Sequence, residues 1–231
     1  MNHYDQLLFK SLEYQFASFA EMFIGCLSEK SYRILDIGCG NWVLVSKSAK
    51  LFPQSTLVSV DLSEPNIRLA REAYYGRRIS FLAADYLQYS DQPFDLIVSY
   101  STTNLLPIKQ ERLLKKIADD LKEGGLLIVS MPHDCICSRL LILFRQILRF
   151  VRCKFVDRLI FSLGRIITPE FVPDEFILQN AGYVYNLPTH MYKVDFQSAA
   201  HNVKLELIQT HVEKSSSIAK LRHQIQVFRK I

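Results

Sequence analysis

The sequence predicts an α/β fold: a mostly parallel, doubly wound sheet with a helical insertion, closed by an antiparallel ribbon. Three observations carry that expectation. Five short apolar runs alternate with helical segments between residues 32 and 131. A basic, strongly apolar helical stretch then breaks the rhythm. Two alternating stretches near the end read as a final pair of strands. Segments that alternate in this way bury their apolar faces as a parallel sheet wrapped by helices.

Each element has its own signal. Residues 3–28 read as a helix, because Leu7, Leu8, Leu12, Phe16, Phe19, Ala20 and Phe23 recur at three- and four-residue steps, with Gly25 near the end. Residues 33–37 form an apolar run that stops at Gly38, and a helix follows to about Phe52. Residues 56–60 are strand-like and stop at Asp61. Ser63 is placed to cap the next helix, with Glu64 and Pro65 in its first turn. Residues 79–83 form the third run, ending near Asp85, and residues 94–99 the fourth. Residues 109–122 predict an amphipathic helix with Leu113, Leu114, Ile117 and Leu121 inward, stopped by Gly124 and Gly125. Residues 126–131 are the fifth strand. Residues 138–167 read as one helical region, followed by a stretch punctuated by Pro169, Pro173 and Pro188. Residues 194–201 look helical, and 203–211 with 224–230 alternate like strands.

Composition narrows the class. A chain of 231 residues, 49% hydrophobic and 22% charged, is ordinary for one globular unit. At this size roughly 70% of the unfolded surface is buried on folding. We therefore expect one domain over 1–231, built as an N-terminal helix, a core at 32–131, a cap at 133–190 and a closing segment at 191–231. No apolar run reaches the roughly 18 residues of a membrane span. The first ten residues lack the basic start and apolar core of a secretion signal. Five cysteines is an odd count, and Cys135 and Cys137 stand two apart with no second pair. That spacing argues against a disulfide framework and against a zinc site, so no metal is expected. The expected setting is cytoplasmic, with reduced thiols.

The formal charge is +5. Between His133 and Thr168 seven basic residues face two acids, so this one segment carries the whole excess.

Functional signals cluster at strand ends. Ile34-Leu35-Asp36-Ile37-Gly38-Cys39-Gly40 is a strand running into a glycine turn that opens a helix. Glycines there let backbone approach a ligand, and the helix start offers free N–H donors. Asp61 ends the next strand about 20 residues on, where a carboxylate accepts bonds from ribose hydroxyls. Ala84-Asp85-Tyr86 follows the third strand, where a carboxylate and an aromatic suit adenine.

In order, LDIGCG, VSVDLS, AADY, PFDLIVS and LKEGGLLIVS resemble the class I S-adenosylmethionine-dependent methyltransferases over about residues 32–131. A dinucleotide-binding dehydrogenase is the nearest rival on this type of sheet. It would want G-x-G-x-x-G, and here Val43 stands at the third glycine. The resemblance implies a Rossmann-like sheet of seven strands with the last antiparallel, and S-adenosylmethionine as cofactor. It also implies roles by position. Asp36, Gly38, Cys39 and Gly40 line the methionine moiety. Asp61 binds ribose, with Leu62 against the adenine, while Asp85 and Tyr86 hold the adenine. Ser99 and Tyr100 lie near the sulfonium, and Tyr14 lies on a helix that closes over the cofactor. Two departures stand out. Trp42 occupies the place of the family's further glycine. Thr102-Thr103-Asn104-Leu105 replaces the N/D-P-P-Y of enzymes that methylate nucleobase or glutamine nitrogen.

For the reaction itself the residues say less. His133 directly follows the fifth strand on the ligand edge, and an unperturbed imidazole near pH 6.5 suits a general base. His190 is a second candidate. The basic segment has three readings: a cap with a solvated basic face, a lid over an apolar or acidic substrate, and a helix lying on a membrane surface. The expected partner is a small-molecule acceptor, apolar or lipid-like, with peripheral membrane contact through 138–167 as one option. Methylation of RNA or protein, or a degenerate cofactor-binding role, is the alternative. Nucleic acid is disfavoured because no appended RNA-binding module is present.

Overall fold

The computed structural model describes residues 31–38, 48–49, 52–73, 78–167, 174, 185, 187–191, 194–212 and 221–231. Its centre is a seven-stranded sheet in the order β3-β2-β1-β4-β5-β7-β6. The strands are β1 (Arg33–Ile37), β2 (Thr56–Asp61), β3 (Ile79–Ala83), β4 (Phe94–Tyr100), β5 (Leu121–Pro132), β6 (Leu205–Val212) and β7 (His223–Lys230). The first five run parallel, with Asp36 opposite Ser59 and Val98. β7 pairs antiparallel with both β5 and β6, which closes the ribbon expected from the alternating C-terminal stretches.

Period-two alternation divides the core between the two faces. On one face Leu35, Ile97, Leu127 and Phe228 pack with Leu113, Leu114 and Ile117 of α2 (Gln110–Asp120) and Phe196 of α5 (Val194–Asn202). On the other, Ile34, Leu96, Ile128 and Val227 pack with Ile67 and Ala70 of α1 (Glu64–Ala73). Parallel strands covered on both faces need apolar residues at consecutive positions, which is why their runs are unbroken. α1 starts where Ser63 predicted, with the Asn66 N–H 3.4 Å from the Ser63 hydroxyl.

Two expectations are corrected. α2 ends at Asp120, before Gly124 and Gly125, and the chain turns straight into β5. The glycines lie in an irregularity of that strand, between the Phe94–Leu121 and Leu96–Leu126 pairs. Gly124 sits there at φ +75°, a conformation that costs a side chain dearly. The region 138–167 is two helices, α3 (Ile136–Phe150) and α4 (Lys154–Ile167), parted at Val151, Arg152 and Cys153. The N-terminal helix at 3–28 and most of the helix before Phe52 lie outside the described residues.

Candidate active site

Parallel strands put the C-terminal ends of β1 to β5 on one edge. Strand order reverses between β1 and β4, the crevice where such sheets take ligands. Two halves meet there.

The β1–β2–β3 half is acidic. Asp36 is buried, and the Ser59 hydroxyl donates to its Oδ2 at 3.2 Å. Burial pushes its pKa up to about 7. The Ser59 bond opposes that shift, and the charge of Asp61 adds to it. A carboxylate kept this dry favours a cation beside it. Asp61 accepts the Ser63 N–H at 2.8 Å, and Asp85 accepts the Leu87 N–H at 2.9 Å. Both are side-chain turns that bond the amide two residues on, so each carboxylate is held at its strand end. Leu62, beside Asp61, is 71% exposed, an apolar surface offered to whatever lies on this edge.

The β1 and β4 ends are stitched together. Gly38 has φ +80° and donates its N–H to the Val60 carbonyl at 2.7 Å. A Cβ there would fall 2.2 Å from the Thr102 hydroxyl oxygen, so only glycine lets the segment after β4 lie against it. The Ser99 hydroxyl donates to the Ile37 carbonyl at 3.2 Å and accepts the Thr103 N–H at 3.3 Å.

The β4–β5–β7 half carries imidazoles and hydroxyls. Ser101 takes φ +59°, rare for a side chain. Its hydroxyl lies 3.1 Å from His223 Nδ1, and the Ser130 hydroxyl lies 3.2 Å from the same nitrogen. The Tyr100 ring stacks on His223, with centroids 6.1 Å apart. His133 is anchored by its N–H to the Arg222 carbonyl at 2.8 Å, and its Nδ1 is buried without a partner. His190 docks on the short turn Thr103–Leu105, donating its N–H to the Asn104 carbonyl at 3.2 Å. Burial lowers the His190 pKa, while bonds with the Leu106 and Ile108 backbone oppose that shift. Its Nε2, Thr103 Oγ1 and Asn104 Oδ1 are also buried without partners. Four of the five such side-chain atoms among the described residues therefore belong to segments at the ends of β4 and β5 or docked on them.

Asp36, Gly38, Asp61, Leu62, Asp85, Ser99, Tyr100 and His133 thus share one edge. Tyr86 does not offer its ring to it. The ring is buried, its hydroxyl donates to Asp120 at 2.8 Å, and Lys116 lies 4.7 Å over its face. Cys39, Gly40, Trp42 and Tyr14 lie outside the described residues. His223, Ser101 and Ser130 gave no sequence signal, because the His223–Ser101 contact joins residues 122 apart.

Residues 34–125 match the family described as a methyltransferase domain. Over that stretch, which is less than half of the chain, the core is similar to methyltransferases. Among curated relatives of this core is the carboxy-S-adenosyl-L-methionine synthase of Nautilia profundicola, 31% identical over 101 residues, 42% of this chain and 43% of that protein. Another is the malonyl-[acyl-carrier protein] O-methyltransferase of Priestia megaterium, 34% identical over 98 residues, 42% of this chain and 35% of that one. The chain spans less than half the length of either relative. The magnesium protoporphyrin IX methyltransferase of Synechocystis, solved with bound S-adenosylhomocysteine, shares the fold at TM-score 0.64 and 13% identity, covering 100% of this chain and 88% of that one.

Proposed function

We propose that this chain transfers a methyl group from S-adenosylmethionine to a small organic acceptor with an apolar body and a polar reacting end. One observation carries the cofactor assignment: three carboxylates lie at or just beyond the ends of three adjacent strands, and the buried one meets no cation among the described residues. That donor set suits a ligand with a sulfonium, an ammonium, two ribose hydroxyls and an adenine amino group. Asp36 and Gly38, with Cys39 and Gly40, take the methionine end. Asp61 takes the ribose, Leu62 lies against the adenine, and Asp85 takes its amino group. The backbone of Tyr86, rather than its ring, borders that position.

When bound, the cofactor supplies an electrophilic methyl group with its own leaving group. The chain's work is then to orient two molecules, and orientation alone reaches effective molarities of about 10⁵–10⁸ M. The partnerless polar atoms of Thr103, Asn104, His190 and His133 favour an acceptor whose polar end meets the β4–β5 edge. An acceptor hydroxyl or acidic carbon must also lose a proton. His133 is the base on this reading, and His190 the second candidate.

Thermal melting with S-adenosylmethionine, S-adenosylhomocysteine and NAD⁺ tests the cofactor. Ligand at 100 times its Kd adds about 2.7 kcal/mol, which at this size is a shift of about 5–10 °C. A shift with the two adenosyl ligands alone supports the reading. No shift would support the alternative, a degenerate interaction protein. With an acceptor in hand, His133→Gln slows transfer by about 10²–10⁴ while leaving S-adenosylhomocysteine affinity unchanged. Unaltered rates would remove His133 from the chemistry.

A further inference from the structure

We infer that α3 and α4 form a docking surface for an anionic phospholipid bilayer, lying in its interface rather than crossing it. Eleven of the seventeen exposed large apolar side chains among the described residues fall between Ile136 and Ile166. They are not scattered. Leu140, Leu143 and Ile147 follow one another at helical spacing along α3, and Phe155, Leu159 and Ile166 do so along α4. At the break between the helices Phe150 is 92% exposed. Single exposed apolar residues are normal, but a row of them on each of two successive helices marks a contact surface.

The charge beside the stripe selects the occupant. α3 contains no acid at all, and the one acid in α4 is spent on its own chain. That acid, Asp157, accepts the Tyr185 hydroxyl at 2.6 Å and lies 3.5 Å from Arg152. Asp134, just ahead of α3, is paired with Arg139 at 2.6 Å. Arg149, Lys154 and Arg158 are exposed and face no carboxylate among the described residues; by helical spacing Arg149 and Lys154 fall on the faces opposite the apolar rows and Arg158 beside one. An apolar row on one side of a helix with cations on the other suits an interfacial position, the apolar side in the hydrocarbon and the charged side among anionic headgroups. The basic segment holds the whole formal net charge of the chain, so the positive excess is concentrated in this part of the molecule. No helix among the described residues is long and apolar enough to cross a membrane. At 1.5 Å per residue α3 reaches only about 22 Å, short of the roughly 30 Å hydrocarbon core. An in-plane helical pair fits both limits.

Co-sedimentation of the full chain with vesicles tests this. One set is phosphatidylcholine, the other an equimolar mixture of phosphatidylcholine and phosphatidylglycerol. The chain is expected to pellet with the mixed vesicles at low salt, to release as salt rises, and to bind phosphatidylcholine weakly. Each cation beside an anionic surface strengthens partition about fivefold, so the pair R149E/R158E should weaken binding by about 25-fold or more. The pair I147S/F155S should abolish it on both vesicle types. All four positions are exposed, and an unchanged melting temperature confirms that both variants fold. A folded parent that stays in the supernatant with mixed vesicles overturns the proposal. So does either folded pair that binds as well as the parent. A concentration-dependent dimer of the parent, abolished in I147S/F155S and unaccompanied by vesicle binding, would assign the stripe to a second copy instead. The shift with S-adenosylhomocysteine should persist in both variants, which separates this outcome from failure of the methyl-transfer reading.

Discussion

The β1–β5 core and the α3–α4 pair are written in the same vocabulary and end in opposite states. Ile97 in β4 is fully buried, while Ile147 in α3 is 53% exposed. Both belong to apolar patterns of correct period for their element. In the core the pattern is answered by a partner within the chain: α2 and α5 on one face, α1 on the other. In the helical pair the exposed stripe is answered by nothing among the described residues. An amphipathic pattern therefore predicts that an element will form and which face is apolar. It does not say whether the molecule itself supplies the cover.

Truncation measures that contrast most directly. Ile97→Ala opens a cavity in a packed sheet and should cost about 2–5 kcal/mol. Ile147→Ala removes atoms that already meet solvent and should stay within about 0.5 kcal/mol. Denaturant midpoints for both variants, free of ligand and vesicles, give the comparison. Equal losses would mean that α3 is packed in solution, and the contrast between the two regions would collapse.

The next effect lies inside the core, at its ligand edge. The Asp36 pKa is raised from 3.8 to about 7, chiefly by burial. The folded chain therefore holds a proton that the unfolded chain releases between those values. Stability without ligand should fall as pH rises from about 4 to 7 and level off above, by on the order of 4 kcal/mol. Asp36→Asn abolishes that slope and should melt above the parent at pH 8 while binding S-adenosylmethionine more weakly. Parallel stability–pH profiles for the two proteins would refute the dry carboxylate. Stronger cofactor binding by the variant would refute its role toward a cation.

Much of the core was legible because parallel strands covered on both faces must be apolar at consecutive positions. The strand ends were legible too, since Asp61 and Asp85 bond amides only two residues on. What the sequence hid was non-local or locally ambiguous. Gly124 and Gly125 looked like a helix stop because a glycine pair after a helix resembles a C-cap. The strand irregularity depends instead on pairing with Phe94 and Leu96 across the sheet. The break at Val151-Arg152-Cys153 contains neither Pro nor Gly, so nothing local announces it. His223 reaches the β4–β5 edge only because β7 runs back antiparallel beside β5.

Tyr86 is the smallest and sharpest of these tests, because its backbone lies at the ligand edge while its side chain serves the core. The Ala84-Asp85-Tyr86 motif suggested an aromatic for adenine, yet the hydroxyl is bound to Asp120 on α2, 34 residues away. Lys116 lies over the ring and pairs with the same carboxylate at 2.9 Å. Burial, together with the Asp120 charge and bond, holds the phenol pKa well above its ordinary value, so it stays a donor. Tyr86→Phe keeps the ring and deletes one bond to a charged group, a loss of about 1.5–3 kcal/mol. Lys116 still partners Asp120, which should hold the cost to the lower part of that range. A strut of this kind stabilises without touching the ligand, so calorimetric affinity for S-adenosylhomocysteine should match the parent. A variant of unchanged stability with weakened binding would return Tyr86 to the adenine and move the boundary between core and site by one side chain.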